Sequence, residues 1–392
     1  MNLFNTVVAL SSLSSLAAAQ TAGTFAWRVT KRASFEDGLL ASDDDRVYAG
    51  STTNGVFGIS KADGSTDFNT AVDDDAALMG AGAIVFNKLF AAATDGTAYM
   101  FELSDGENFG TILSQQSTSS EFADGLLTSD FESNIFVGSM EGEVYAFQTS
   151  SLGVDWTVDV DSAVKGDAAL SDDTSTLYIA TNDGSVYALS TSDGSQQWRT
   201  TNSATFKDGL LASDADRVYV GSMQGVVYGF NKDDGSRAWS TVVDSAIKGS
   251  GAISDDGSKL YVASNAGTFY ALSVETGAIA STTTTTNTTF LDGLLYCDCS
   301  NYAYAGSSTG VVYSFDLNDQ GSVFFQTASL GDALEGGGEI SSDGTLLYVA
   351  SGGGVVAAVN TGTGGASASN AETSTLSIAL WVAVVLQQLV RW

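Results

Sequence analysis

An apolar, β-branched run carrying a central aromatic recurs eight times along the chain, and no other feature limits the fold as strongly. The aromatics are Tyr48, Phe90, Phe136, Tyr178, Tyr219, Tyr261, Tyr304 and Tyr348, spaced 41 to 46 residues apart, the period of propeller blades. A turn glycine follows each at six or seven residues, at Gly55, Gly96, Gly142, Gly184, Gly225, Gly267, Gly310 and Gly354. A second aromatic comes three residues after the glycine at Tyr99, Tyr145, Tyr187, Tyr228 and Tyr313, among others. In the clearest copy, Val218 to Trp239, two short strands flank Gly225 and a third follows Asp234-Gly235. Alternating aromatic and β-branched residues bounded by glycine turns favour such antiparallel meanders over helices. Eight of them predict one all-β domain over residues 20–362, an eight-bladed β-propeller with four-stranded antiparallel blades.

Two further patterns fix how the ring is built. Trp27 stands four residues after Gly23, the offset seen between Gly194 and Trp198 and between Gly235 and Trp239, whereas the last repeat ends near Gly362 without such a strand. The N-terminal strand is therefore expected to complete the eighth blade, which removes the unpaired edges of an open array. The segments SFEDGLLAS, EFADGLLTS, TFKDGLLAS and TFLDGLLYC, starting at Ser34, Glu121, Thr205 and Thr289, alternate with ALMGAGAI, AVKGDAAL, AIKGSGAI and ALEGGGEI, starting at Ala77, Ala163, Ala246 and Ala333. The ring thus reads as four tandem two-blade units.

The segments LYIATNDGSVYALSTSDGSQQW (residues 177–198) and VYVGSMQGVVYGFNKDDGSRAW (residues 218–239) resemble the repeat of the pyrroloquinoline-quinone-like β-propellers, whose blades end in a glycine turn and a docking tryptophan. The resemblance spans residues 24–362. Trp156, Trp198 and Trp239 occupy the docking position, Phe68 and Phe325 replace the tryptophan, and Ser281 offers no aromatic, which implies looser docking at those blades. Dehydrogenases of the family carry adjacent cysteines over the quinone; here Asp298 separates Cys297 from Cys299. The resemblance therefore implies the non-enzymatic branch, similar to the bacterial outer-membrane assembly scaffold, with no quinone bound.

The first strand of a propeller blade lines the central channel, and the DGLL segments hold that place. Gly38, Gly125, Gly209 and Gly293 let the strands converge, and Asp37, Asp124, Asp208 and Asp292 are the candidate ring of carboxylates at one mouth. Four carboxylates could hold Ca²⁺, a hard cation that takes six to eight oxygens; the competing reading makes each Asp a local acceptor for backbone amides beside glycine. The runs Asp43-Asp44-Asp45, Asp73-Asp74-Asp75, Asp172-Asp173, Asp233-Asp234 and Asp255-Asp256 read as solvated turns. Positions i and i+2 of a strand share a face, so Cys297 and Cys299 are either a strained disulfide or neighbouring structural thiols.

The chain contains no histidine, which excludes Ser-His-Asp and Cys-His catalysis and histidine-bound metals. Carboxylate-only chemistry stays open. A net charge of −31 excludes nucleic acid as a partner. The expected function is a non-catalytic, monomeric binding or scaffolding module that meets a protein or extracellular-matrix partner through its loops. The alternative is a quinone- or calcium-dependent oxidoreductase, or a carboxylate-based hydrolase, using the central funnel.

Both ends of the sequence read as targeting signals. Residues 1–19 form an apolar, serine-dotted stretch ending in Ala17-Ala18-Ala19, a secretory signal peptide. Residues 363–375 are small and polar, and the apolar core of residues 376–392 is short for a membrane span. That order matches a glycosylphosphatidylinositol (GPI) anchor signal with Ser367, Ser369 and Asn370 as candidate attachment sites, the alternative being a short membrane anchor, so the chain is expected in the secretory pathway, outside the cell or at its surface. Asn287-Thr288-Thr289 is a glycosylation sequon, with Asn287 the acceptor.

Overall fold

The computed structural model describes residues 21–36, 38–73, 76–129, 133–208, 210–297 and 301–362, without the side chains of residues 123–129, 210–211 and 292–297. Its strands form eight four-stranded antiparallel sheets, and there is no helix among the described residues. Seven sheets are sequential meanders, such as Leu210–Ser213, Arg217–Gly221, Val226–Asn231 and Arg237–Val242. The eighth joins Glu339–Ile340, Leu346–Ala350 and Val355–Asn360 to the N-terminal strand Phe25–Thr30, whose Arg28 pairs with Ala357. The ring is closed as the Gly23/Trp27 offset predicts.

The repeated aromatics are the cores of the blades. All eight are buried, from 0% exposed at Tyr48, Phe90, Phe136 and Tyr219 to 5% at Tyr178. The eight turn glycines all have left-handed backbones, with φ between 71° and 96°, a region that L residues with a Cβ enter at a cost. At Gly96 a Cβ would also stand 2.2 Å from the Ser120 carbonyl.

Each blade's last strand docks onto the next blade. The indole N–H of Trp27, Trp156, Trp198 and Trp239 donates to the carbonyl of Lys61, Thr191, Lys232 and Val274 at 2.7–2.9 Å. The ring lies against the next blade's turn glycine: a Cβ on Gly194 would be 2.7 Å from Trp156, and one on Gly235 would be 2.5 Å from Trp198. Phe68 and Phe325 take the same place over Gly110 and Gly23. Where the docking aromatic is missing, other residues fill the space. Beyond Ser281, Phe269 stacks on Phe315 with centroids 4.4 Å apart and covers Gly321. In the second blade, where Ser114 lies opposite Met100, the next blade's turn glycine becomes Leu152, fully buried at φ 62°. The looser docking expected at Ser281 is thus offset by a neighbouring ring.

The two-blade unit has a physical cause. In odd blades the second strand carries Gly50, Gly138, Gly221 or Gly306, where a Cβ would stand 2.6–2.7 Å from Leu78, Val164, Ile247 or Leu334 of the following even blade. These four apolar residues donate their backbone N–H to the carbonyls of Ser51, Ser139, Ser222 and Ser307 at 3.0–3.1 Å. The glycine is a socket, and its partner plugs one blade into the next.

Candidate functional site

The same plug residues position the channel wall. Phe35, Phe122, Phe206 and Phe290 occupy the corresponding place in odd blades, each buried edge-on against Phe57, Tyr145, Tyr228 or Tyr313 at 5.5–5.7 Å. The residue after each of these eight apolar anchors varies in charge and size around the ring. Around the ring these residues are Glu36, Met79, Ala123, Lys165, Lys207, Lys248, Leu291 and Glu335. Six of them, Met79, the three lysines, Leu291 and Glu335, line one cavity of about 620 Å³ that also reaches Leu39, Leu40 and Glu339.

Close backbone approach shapes the wall. Gly38 bridges Gly337 across the seam between the first and last blades, where a Cβ would stand 2.3 Å from the Gly337 carbonyl. A Cβ on Gly166 would stand equally close to the Asp208 carbonyl. The channel is therefore tight at its wall and open at its mouth.

Charge is unevenly distributed around it. Lys165, Lys207 and Lys248 come from the fourth, fifth and sixth blades, side by side, while Glu335 and Glu339 come from the eighth. Asp167 and Asp208 lie on the lysine side. The Ser250 hydroxyl reaches past the fifth blade to donate to the Asp167 carboxylate. Glu339 stands where the other even blades carry Ala83, Ala169 and Ala252. Burial pushes its carboxyl up, against the Ser42 hydroxyl that donates to it at 3.2 Å and the charge of Lys61.

The described residues reach only part of the sites expected from sequence. Asp208 lines the channel, whereas Asp37 and the side chains of Asp124 and Asp292 lie outside the described residues, so the carboxylate ring is not assembled in view. Among the described residues no three carboxylates or cysteines gather as a metal site. The acidic runs are turns: Asp43, Asp173, Asp234 and Asp256 each accept a backbone N–H two residues on. Serine hydroxyls and amides hold the Asp173 and Asp256 carboxyls down to about 2. Residues 74 and 75 lie outside the described residues. Asn287 is exposed in a left-handed turn. The Cys297 backbone pairs with Tyr302, while its thiol, Cys299, residues 1–19 and the tail with Ser367, Ser369 and Asn370 are outside the described residues. No described helix is long and apolar enough to cross a membrane.

Sequence reasoning missed the lysines. Their signal was present in VKGD, FKDG and IKGS, one residue after the plug in three consecutive repeats.

Comparisons with known proteins agree with this architecture. The family model described as outer membrane protein assembly factor BamB matches residues 12–109, 107–254, 182–319 and 225–364. No curated protein matches the chain in sequence. Among solved structures, BamB from Moraxella catarrhalis is 17% identical with TM-score 0.66, covering 85% of this chain and 96% of its own. Sqt1 from Saccharomyces cerevisiae is 14% identical with TM-score 0.74, covering 87% of this chain and 99% of its own. Sqt1 from Chaetomium thermophilum, solved bound to the N-terminus of ribosomal protein L10, is 14% identical with TM-score 0.66, covering 82% of this chain and 92% of its own. At such identities the structural likeness establishes the fold.

Proposed function

Because this chain belongs to the outer membrane protein assembly factor BamB family, we propose that it is a non-catalytic binding module whose protein partner docks at the channel mouth and the loops around it. The observation that carries the reading is the mouth itself: an open cavity of about 620 Å³ whose wall mixes aliphatic and charged groups. Among the described residues the Ser250 hydroxyl donates to the Asp167 carboxylate, and the chain has no histidine to complete a Ser-His-Asp relay. A structural neighbour solved with a protein segment bound supports a protein partner. The signals at residues 1–19 and 363–392 support presentation at the cell surface on a lipid anchor, with a glycan on Asn287.

The test is crosslinking on intact cells with a photo-reactive residue placed at Gly352, a mouth-side turn whose N–H donates to the Ala333 carbonyl, or at Ser192, exposed in a turn at the opposite end of its blade. A discrete protein adduct from the first position and none from the second supports the reading. Adducts from both positions alike, or dye reduction by the purified protein on adding quinone and calcium, would overturn it. Release of the protein from cells by phosphatidylinositol-specific phospholipase C tests the anchor; retention after treatment would sink it.

A further inference from the structure

We infer that Lys165, Lys207 and Lys248 form the recognition element of this mouth, and that they take an acidic segment of a protein partner, a reading that rests on the binding-module function proposed above. The protein has 15 lysines and arginines against 46 acidic residues, yet three of its cations stand at the same structural position of three consecutive blades. Long-range repulsion by a net charge of −31 turns away dense polyanions, so a cationic arc here is selective for short segments bearing a few carboxylates.

Among the described residues no hydrogen bond or ion pair of the fold engages the ammonium groups of these lysines. Lys61 and Lys232 are structural: each lies 5.3 Å over a tyrosine ring, Tyr348 or Tyr178, and donates to a backbone carbonyl. Lys88 pairs across its strand with Glu102, and Lys259 sits by Asp256. Ion pairs among the described residues are made by Arg46 and Arg199. Lys165, Lys207 and Lys248 have neither an ion pair nor a hydrogen bond from their ammonium groups among the described residues, although Asp167 and Asp208 lie one or two residues away. Asp167 is engaged by Ser250.

The ligand's shape follows from the surroundings. Three ammoniums spread over three blades match carboxylates spaced along an extended chain better than a single tetrahedral anion, which needs its donors gathered at one point. The cavity is larger than inorganic phosphate fills, and Leu39, Leu40, Met79 and Leu291 give it aliphatic walls for the segment's apolar residues. Glu335 and Glu339 on the opposite side repel the same carboxylates and so fix which way the segment lies.

The test uses the full chain and three probes: a capped peptide of alternating Glu, Ser and Leu, its Gln-for-Glu counterpart, and inorganic phosphate. Binding is read by fluorescence anisotropy at low and physiological salt, in wild type, in Lys165→Gln/Lys207→Gln/Lys248→Gln, and in Lys88→Gln/Lys259→Gln. We expect saturable, salt-sensitive binding of the Glu peptide, about ten- to a hundredfold weaker in the channel variant, since each partly exposed pair contributes a factor of a few, and unchanged in the control. Equal binding of the Gln peptide, equal loss in the control variant, or displacement by millimolar phosphate would overturn the inference, the last in favour of a small-anion site. If the triple variant fails to fold, Lys207→Gln with restoration by Lys207→Arg decides the matter. Crosslinking that persists in the channel variant while the Glu peptide fails to bind wild type would leave the binding module standing and remove only the lysine arc.

Discussion

Docking of Trp156 onto Gly194 makes a quantitative prediction. Trp156 is 9% exposed, packs on Phe136 with centroids 5.8 Å apart, and donates its indole N–H to the Thr191 carbonyl at 2.8 Å. Truncating a buried tryptophan costs about 3–5 kcal/mol. At about 2.1 cal/mol/K per residue, a ring of this size has an unfolding entropy of roughly 0.7 kcal/mol/K, so Trp156→Ala should lower Tm by about 6 °C. Gly194→Ala should also destabilise, for two separable reasons. Its φ of 70° imposes a left-handed backbone worth about 1–2 kcal/mol, and its new methyl would stand 2.7 Å from the Trp156 ring, adding about 1–3 kcal/mol of overpacking. Only the second cost depends on the tryptophan. In a double-mutant cycle by calorimetry, Gly194→Ala should therefore be about 1–3 kcal/mol milder in the Trp156→Ala background. Additivity within about 0.5 kcal/mol would show that the glycine is required for its backbone alone, and that the ring-on-glycine account of blade docking is wrong.

Four other outcomes follow. Phe269→Ala should destabilise by about 3–5 kcal/mol and Ser281→Ala by far less, because Phe269 fills the gap beside Phe315; comparable costs in urea titrations would refute the substitution. Glu339 has its carboxyl raised by burial, so its ionisation opposes folding: Glu339→Gln should raise Tm at neutral pH, with the gain vanishing below the ordinary carboxyl range, and a gain independent of pH would contradict this. Tyr99 and Tyr187 are pushed up to about 12 by burial, so the unfolded chain loses protons that the fold retains above pH 10; Tm should fall from pH 10 to about 12 with delayed absorbance at 295 nm, and a flat Tm would refute it. If Asp37, Asp124, Asp208 and Asp292 hold calcium, calorimetric titration should show saturable binding with a raised Tm, lost in Asp124→Asn plus Asp292→Asn; an unchanged isotherm would leave them as turn residues.

The ring was legible in the sequence because its causes are periodic. One buried aromatic and one left-handed glycine per blade must recur for each blade to close, and they appear in all eight copies. The pairing of blades was legible as two alternating segments, although their cause was not: the Gly50 and Leu78 kind of socket and plug joins residues about thirty positions apart, and neither half marks itself as a contact. Leu152 and Phe269 were illegible for a related reason. Each fills a space emptied by Ser114 or Ser281, but from a different position of the repeat, so comparing copies column by column shows the loss and hides the replacement. The lysines failed differently. Each is an ordinary basic residue beside glycine, and only closure of the ring sets three of them side by side.

That last failure points to how such a chain separates folding from recognition. The position before the lysines is apolar in every copy, as Phe35, Leu78, Phe122, Val164, Phe206, Ile247, Phe290 and Leu334, because an unburied anchor would detach the blade from its own sheet or its neighbour. The next position is Glu, Met, Ala, Lys, Lys, Lys, Leu and Glu, a spread of charge and size at a place where six of the eight residues line the channel cavity. Eight copies in one chain act as an internal comparison: positions that stay the same build the ring, and a mouth position that varies while its neighbour does not is free to answer to a ligand. The variation there is ordered around the ring, cations together and carboxylates opposite, and blade docking gives no reason for that order, whereas a guest lying across the channel with its own carboxylates on one side does.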